Sequence, residues 1–126
     1  MRITALGSGD AFCSAGRGHT SWLVDDAQGT FAVDFGATAL LALQRLGRDP
    51  DAIAAIHFTH LHGDHTGGWP FFLVDAVYRS QRKDALLASG PPGTGARQLT
   101  GDVGYTSRTH PTASQRNFAG VSGQLN

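Results

Sequence analysis

The stretch from Thr59 to Gly68 reads THLHGDHTGG and sets His60, His62, Asp64 and His65 within six consecutive positions. Four of the chain's six histidines fall between positions 57 and 65. In an extended segment, side chains two residues apart share a face, so His60, His62 and Asp64 are expected to converge while His65 points elsewhere. A loop of this kind can feed two ions. Imidazoles with one carboxylate suit zinc, or iron or manganese, and a second metal about 3.5–4 Å from the first makes a two-metal hydrolytic centre. The competing reading is a polar turn rich in histidine, but ligand-type residues so dense and so regularly spaced are uncommon in an ordinary turn.

This loop resembles the His-x-His-x-Asp-His signature of the metallo-β-lactamase-fold hydrolases, and Thr59 before it and Gly67-Gly68 after it resemble the ribonuclease Z branch. The signature is specific for the superfamily and much less so for a substrate. The resemblance implies that His60 and His62 serve one metal site and Asp64 and His65 the second, with Asp64 also accepting a proton from the attacking water. It implies zinc as the cofactor, two ions in the family, with iron or manganese as alternatives.

Ten basic and ten acidic side chains cancel, so the strongly positive field that would alone argue for nucleic-acid binding is missing. The N-terminal MRITALGSGD has no apolar run of signal-peptide length, and no stretch nears the roughly 18 apolar residues of a membrane span. The single cysteine, Cys13, excludes an internal disulfide and makes a cytoplasmic protein the default. Without a second cysteine nearby, Cys13 is expected to be a small buried or half-buried side chain.

In chain order, Arg2 to Leu6 reads as a strand broken by Gly7-Ser8-Gly9. That loop lacks the glycine fingerprint and the lysine of phosphate-binding loops, so a sharp turn is expected; the family opens with such a strand and loop beside its metals. Ser21 to Asp25 and Thr30 to Asp34 read as a hairpin, with Gly29 supplying a positive φ. Asp34 either caps the next helix or hydrogen-bonds a metal-ligating imidazole. The residues leave both open, and the family's strand ending in Asp-x-Gly beside the metals favours the second. His19, flanked by Gly18, is expected to be a solvent-exposed loop histidine.

Ala37 to Leu46 carries a broad helical apolar face, with Gly47 as its C-terminal cap. Ile53 to Phe58 is a continuous apolar run, the pattern of a buried strand that delivers the metal loop, and His57 belongs to the strand and not to the ligands. Thr66 to Ser80 is expected to be one helix entered through Pro70, its aromatic residues serving core packing in preference to base stacking. Ala85 to Ala88 is a strand candidate. The segment from Arg82 to Gly93, RKDALLASGPPG, resembles the family's strand followed by Gly-Pro-x-Gly.

From Gln98 onward, larger apolar residues are too scattered to build a sheet layer, so residues 98–126 read as a poorly structured or abbreviated C-terminal remnant behind a domain part at 1–97. Leu99 to Tyr105 nevertheless resembles the run that carries the family's metal-bridging aspartate, which makes Asp102 a metal candidate. Thr109-His110-Pro111-Thr112 faintly resembles the His-Ser-Thr segment of ribonuclease Z, which makes His110 a catalytic candidate. The long stretch that separates such elements in the family is missing. The chain thus reads as α/β, the N-terminal half of an αββα metallo-β-lactamase-type sandwich, truncated or internally deleted.

The expected function is metal-dependent hydrolysis, with a small-molecule or RNA phosphodiester favoured over a β-lactam or thioester. The alternative is a catalytically inactive metal-binding fragment or a partner-binding half-domain. Catalysis by this length of chain is expected to be poor, since the loop offers about two ligands per ion where a catalytic zinc commonly has three. Self-association is expected, because helices as apolar as 39–46 and 69–78 need a full sheet beneath them.

Overall fold

A computed structural model describes residues 1–95, 105–109 and 116–117. Strand β1 (Arg2–Gly7) pairs antiparallel with β2 (Ser21–Asp26), which forms a hairpin with β3 (Gly29–Val33). The hairpin closes because Asp26 Oδ1 accepts from the backbone N–H groups of Gln28 and Gly29, at 2.7 and 3.2 Å, while Gly29 takes a φ of 139°. Strand β4 (Ile53–His57) lies parallel to β3, and β5 (Leu86–Gly90) parallel to β4. The backbone of β6 (Tyr105–Thr109) continues the sheet parallel to β5, and β7 (Arg116–Asn117) pairs antiparallel with β6. The order across the sheet is that of the sequence.

Parallel pairing requires crossovers, and helices supply those from β3 to β4 and from β4 to β5. Helix α1 (Ala39–Arg45) follows β3 and stops where its sequence says it should. Gly47 has φ 63°, its N–H reaches Gln44 O, and the N–H of Arg48 reaches Leu43 O at 2.9 Å, which satisfies the last carbonyls. The β4–β5 connection holds α2 (Gly63–Thr66) and α3 (Trp69–Val74), the latter continued by a wider π-type turn over Asp75–Arg79. The single helix expected over Thr66 to Ser80 is therefore divided: Gly67 and Gly68 part α2 from α3, and Pro70 stands in the first turn of α3, where its missing N–H costs nothing.

Side chains alternate across the sheet, and the register sorts them into two faces. Leu23, Ala32, Ile56 and Ala88 form one row on the inner face. They share a core with Leu43 of α1 and with Trp69 and Phe72 of α3. Phe35 joins this core fully buried, edge-on to Phe72 with ring centres 5.2 Å apart. Each such large side chain contributes about 1.5–3 kcal/mol on burial. The aromatic run after the histidine loop thus splits: Trp69, Phe72 and Leu73 pack inward, whereas Phe71, Val74 and Tyr78 are exposed.

The opposite face carries two rows, Ile3–Val24–Phe31–Ala55–Leu87 and Ala5–Trp22–Val33–His57–Ser89. Most of these are apolar, yet Ile3 is 57% exposed and Trp22 37%. His57 is half-buried here, its Nδ1 paired with Ser89 Oγ and its ring edge-on to Phe31, in keeping with a strand histidine outside the ligand set. At one end of the sheet, Arg48 and Arg2 hold the Asp25 carboxyl well below the usual carboxylate range, Arg48 contributing most. Among the described residues, no helix is long and apolar enough to cross a membrane.

Candidate metal centre

The inner strands β3 and β4 end side by side, and the segments leaving their C-terminal ends are tied to one another. Asp34 directly after β3 donates its N–H to His57 O at 2.9 Å, and its own φ is 59°, in the left-handed region that aspartate tolerates better than most residues. This turn swings the carboxylate inward, where it is only 2% exposed. A buried carboxylate must be satisfied, and three donors do so. Thr59 gives Oδ1 its N–H at 2.8 Å and Oδ2 its hydroxyl at 2.8 Å, and His65 Nδ1 lies 2.7 Å from Oδ2. Asp34 therefore orients a loop imidazole. It does not cap α1, whose N-cap position is Thr38.

The hydrogen-bond directions fix two tautomers. A carboxylate only accepts, so the Thr59 hydroxyl hydrogen goes to Asp34, and Thr59 Oγ1 is left to accept from His60 Nδ1 at 3.0 Å. His65 donates from Nδ1 to Asp34 for the same reason. In both neutral rings the lone pair then sits on Nε2, the form in which imidazole binds a metal.

The two-residue alternation of an extended loop fails after His62, because α2 begins at Gly63. His62 is its N-cap, and its carbonyl accepts from the N–H groups of His65 and Thr66, both at 3.0 Å. One helical turn brings His65 back to its neighbours. Its ring centre lies 3.9 Å from that of His60, which is itself 4.7 Å from that of His62. The expectation that His65 points away is corrected accordingly. Asp64 joins the same group, with Oδ2 at 3.4 Å from His65 Nε2.

Glycines hold these pieces together. A Cβ on Gly36 would meet Asp64 O at 2.3 Å and His19 Cβ at 2.4 Å, and one on Gly68 would meet Gly36 O at 2.3 Å. The N–H of Phe35 binds His65 O at 2.7 Å and that of Gly68 binds Phe35 O at 2.8 Å, while Ser21 Oγ accepts from Gly36 at 2.9 Å. Thr59 and Gly36 enter the sequence reading only as parts of family-like motifs, and the structure adds what they touch and brings Ser21 into the site. His19 is also corrected. It is half-buried, with its N–H on Thr38 Oγ1 at 2.9 Å, its Nε2 3.3 Å from Ala11 O and its Cβ beside Gly36, and the Gly9–His19 bridge holds its loop against the preceding one.

The donor set fits a zinc-type ion in chemistry: three clustered imidazoles, two of them hydrogen-bonded through Nδ1 so that Nε2 faces away from those partners, and a carboxylate oxygen 3.4 Å from one of those Nε2 atoms. The positions of the donors are a separate matter. Among the described residues, no three His, Cys, Asp or Glu side chains are arranged to enclose an ion. Asp102 and His110 lie outside the described residues.

Residues 1–94 match the family described as Anti-Pycsar protein Apyc1. Ribonuclease Z of Aeropyrum pernix is 39% identical over 88 residues, covering 69% of this chain and 28% of the relative. The structure of the human tRNase Z short form superposes with a TM-score of 0.70 at 30% identity, over 78% of this chain and 38% of that one. The metallo-β-lactamase fold protein YhfI of Bacillus subtilis gives 0.72 at 18% identity, over 86% and 45%, which shows the shared fold. The chain thus spans well under two-thirds of the length of these relatives. Its fold is that of a part of the metallo-β-lactamase α/β sandwich, similar to ribonuclease Z.

Proposed function

The chain belongs to the Anti-Pycsar protein Apyc1 family within the metallo-β-lactamase-fold hydrolases, and from that premise we propose that its histidine loop is a metal centre for hydrolysis of phosphodiesters, in a small molecule or RNA. The observation that supports it most is the chain of hydrogen bonds from Asp34 through Thr59 to His60, and from Asp34 to His65, which presets both rings with Nε2 available. His60 and His62 would hold one ion, and Asp64 and His65 a second, with zinc the first choice and iron or manganese alternatives. Such an ion supplies Lewis acidity and lowers the pKa of water bound to it. The chain's own part is to hold the ligands through Asp34, and to place the Asp64 carboxylate where it can take a proton from the attacking water.

A second reading, a metal-binding module without turnover, draws on the absence among the described residues of three donors arranged around one point. An ion with few ligands is held loosely, and a misplacement of about 1 Å can cost on the order of a hundredfold in rate. The zinc-loaded chain assayed on bis(p-nitrophenyl) phosphate separates the two. Slow turnover, lost on chelation and in Asp64→Ala, supports the hydrolase. Bound zinc without turnover assigns the second reading, and preferred cleavage of a β-lactam or thioester would overturn the substrate class.

A further inference from the structure

Six arginines lie among residues 1–95, and four of them, Arg2, Arg48, Arg79 and Arg82, are paired with carboxylates. The other two, Arg17 and Arg45, have no ion pair among the described residues, and both line the same cavity. It measures about 230 Å³ and opens between the loop after β1 and one face of α1. Leu6, Leu41, Ala42 and Cys13 line it together with Arg17 and Arg45. Leu6 belongs to the hydrophobic core, while Leu41 is 48% exposed, so the slot runs from the core surface to solvent.

Two unpaired cations beside an apolar slot fit an anion that carries an apolar body. A guanidinium fork matches carboxylate and phosphate alike, and it is more weakly hydrated than an ammonium, so it gives up water readily to such a ligand. Size limits the body. An apolar cavity of about 150 Å³ admits one benzene, so this one takes a single ring, or a short aliphatic chain, together with its charged head. Arg17 is partly fixed already, since its Nε donates to Ser14 O at 3.3 Å and leaves the Nη groups for a ligand. Arg45 lies in the last turn of α1 and follows Thr38, Leu41 and Ala42 at helical spacing along the same face.

We infer that this cavity is a binding site for a small organic anion, a carboxylate or phosphate on a single-ring or short-chain body, held by Arg17 and Arg45. None of His60, His62, Asp64 and His65 lines it, so the site does not depend on the reading of the histidine loop.

Cys13 lines the cavity and is the chain's single cysteine, so its alkylation by neutral iodoacetamide reports occupancy. The full chain is treated with a chelator throughout, so that no metal at the histidine loop takes part. Millimolar phenyl phosphate, benzoate or both should slow alkylation at least threefold, and the pair tells which head group is preferred. Benzyl alcohol and inorganic phosphate, each lacking one half of the ligand, should protect less. Protection should vanish in Arg17→Gln/Arg45→Gln and weaken in Arg45→Glu alone; both side chains are exposed, and retained circular dichroism checks the fold. Alkylation unaffected by either anion, equal protection by benzyl alcohol, or full protection in the double variant would overturn the assignment.

Discussion

Asp34 Oδ2 lies 2.7 Å from His65 Nδ1, a contact between the end of β3 and the helical turn of the histidine loop across 31 residues of sequence. The same carboxylate takes both donors of Thr59, so one buried group sets the orientation of the loop that follows β4. A partner of this kind typically changes metal affinity by about 10–100-fold when replaced. Asp34→Asn keeps the shape and the tolerance for a positive φ, but its amide nitrogen cannot accept from Thr59 Oγ1 and His65 Nδ1. Zinc affinity, measured by competition with a chromophoric chelator, should fall by about that factor, with the fold retained. An unchanged affinity would separate Asp34 from the ligands.

Acid should weaken the fold partly through His57. Burial on the sheet holds its pKa below the ordinary 6.5, so the unfolded chain takes up a proton on acidification before the folded chain does. This contribution is present above about pH 6.5 and is lost as the pH falls toward the folded value. In urea titrations the stability lost between pH 7.5 and 5.5 should be smaller for His57→Gln than for the parent chain. Equal losses would show that His57 is hydrated like a free imidazole.

The outer sheet face predicts association. Its apolar rows run across five strands, and Ile3 and Trp22 remain open to solvent, whereas a sheet of this composition is ordinarily covered on both sides. We expect light scattering at micromolar concentration to show species larger than one chain, and Ile3→Glu/Trp22→Glu to shift them toward monomer. A parent chain that stays monomeric would contradict this.

Much of the architecture was legible because each element carries a local signal. The apolar run Ile53 to Phe58, the turn at Asp26 to Gly29 and the cap at Gly47 all lie where those residues put them. The loop's internal geometry was not, because strand periodicity was carried past Gly63, where a helix begins and returns His65 toward His60. The helix expected over Thr66 to Ser80 starts later, at Trp69, because Gly67 packs on Gly63 and Gly68 makes close backbone contact with Phe35 and Gly36. His19 has a glycine neighbour, which in sequence suggests exposure, but its loop folds back so that its Cβ lies beside Gly36. Such contacts join segments far apart in sequence and leave no periodic trace.

Metal content measures the central claim most directly. The chain is purified, equilibrated with zinc, freed of excess and analysed by mass spectrometry of the element, alongside His60→Ala/His62→Ala with its fold checked by circular dichroism. The account predicts at least one zinc per parent chain and a clear loss in the double variant. A folded double variant that retains the parent's zinc content would contradict it.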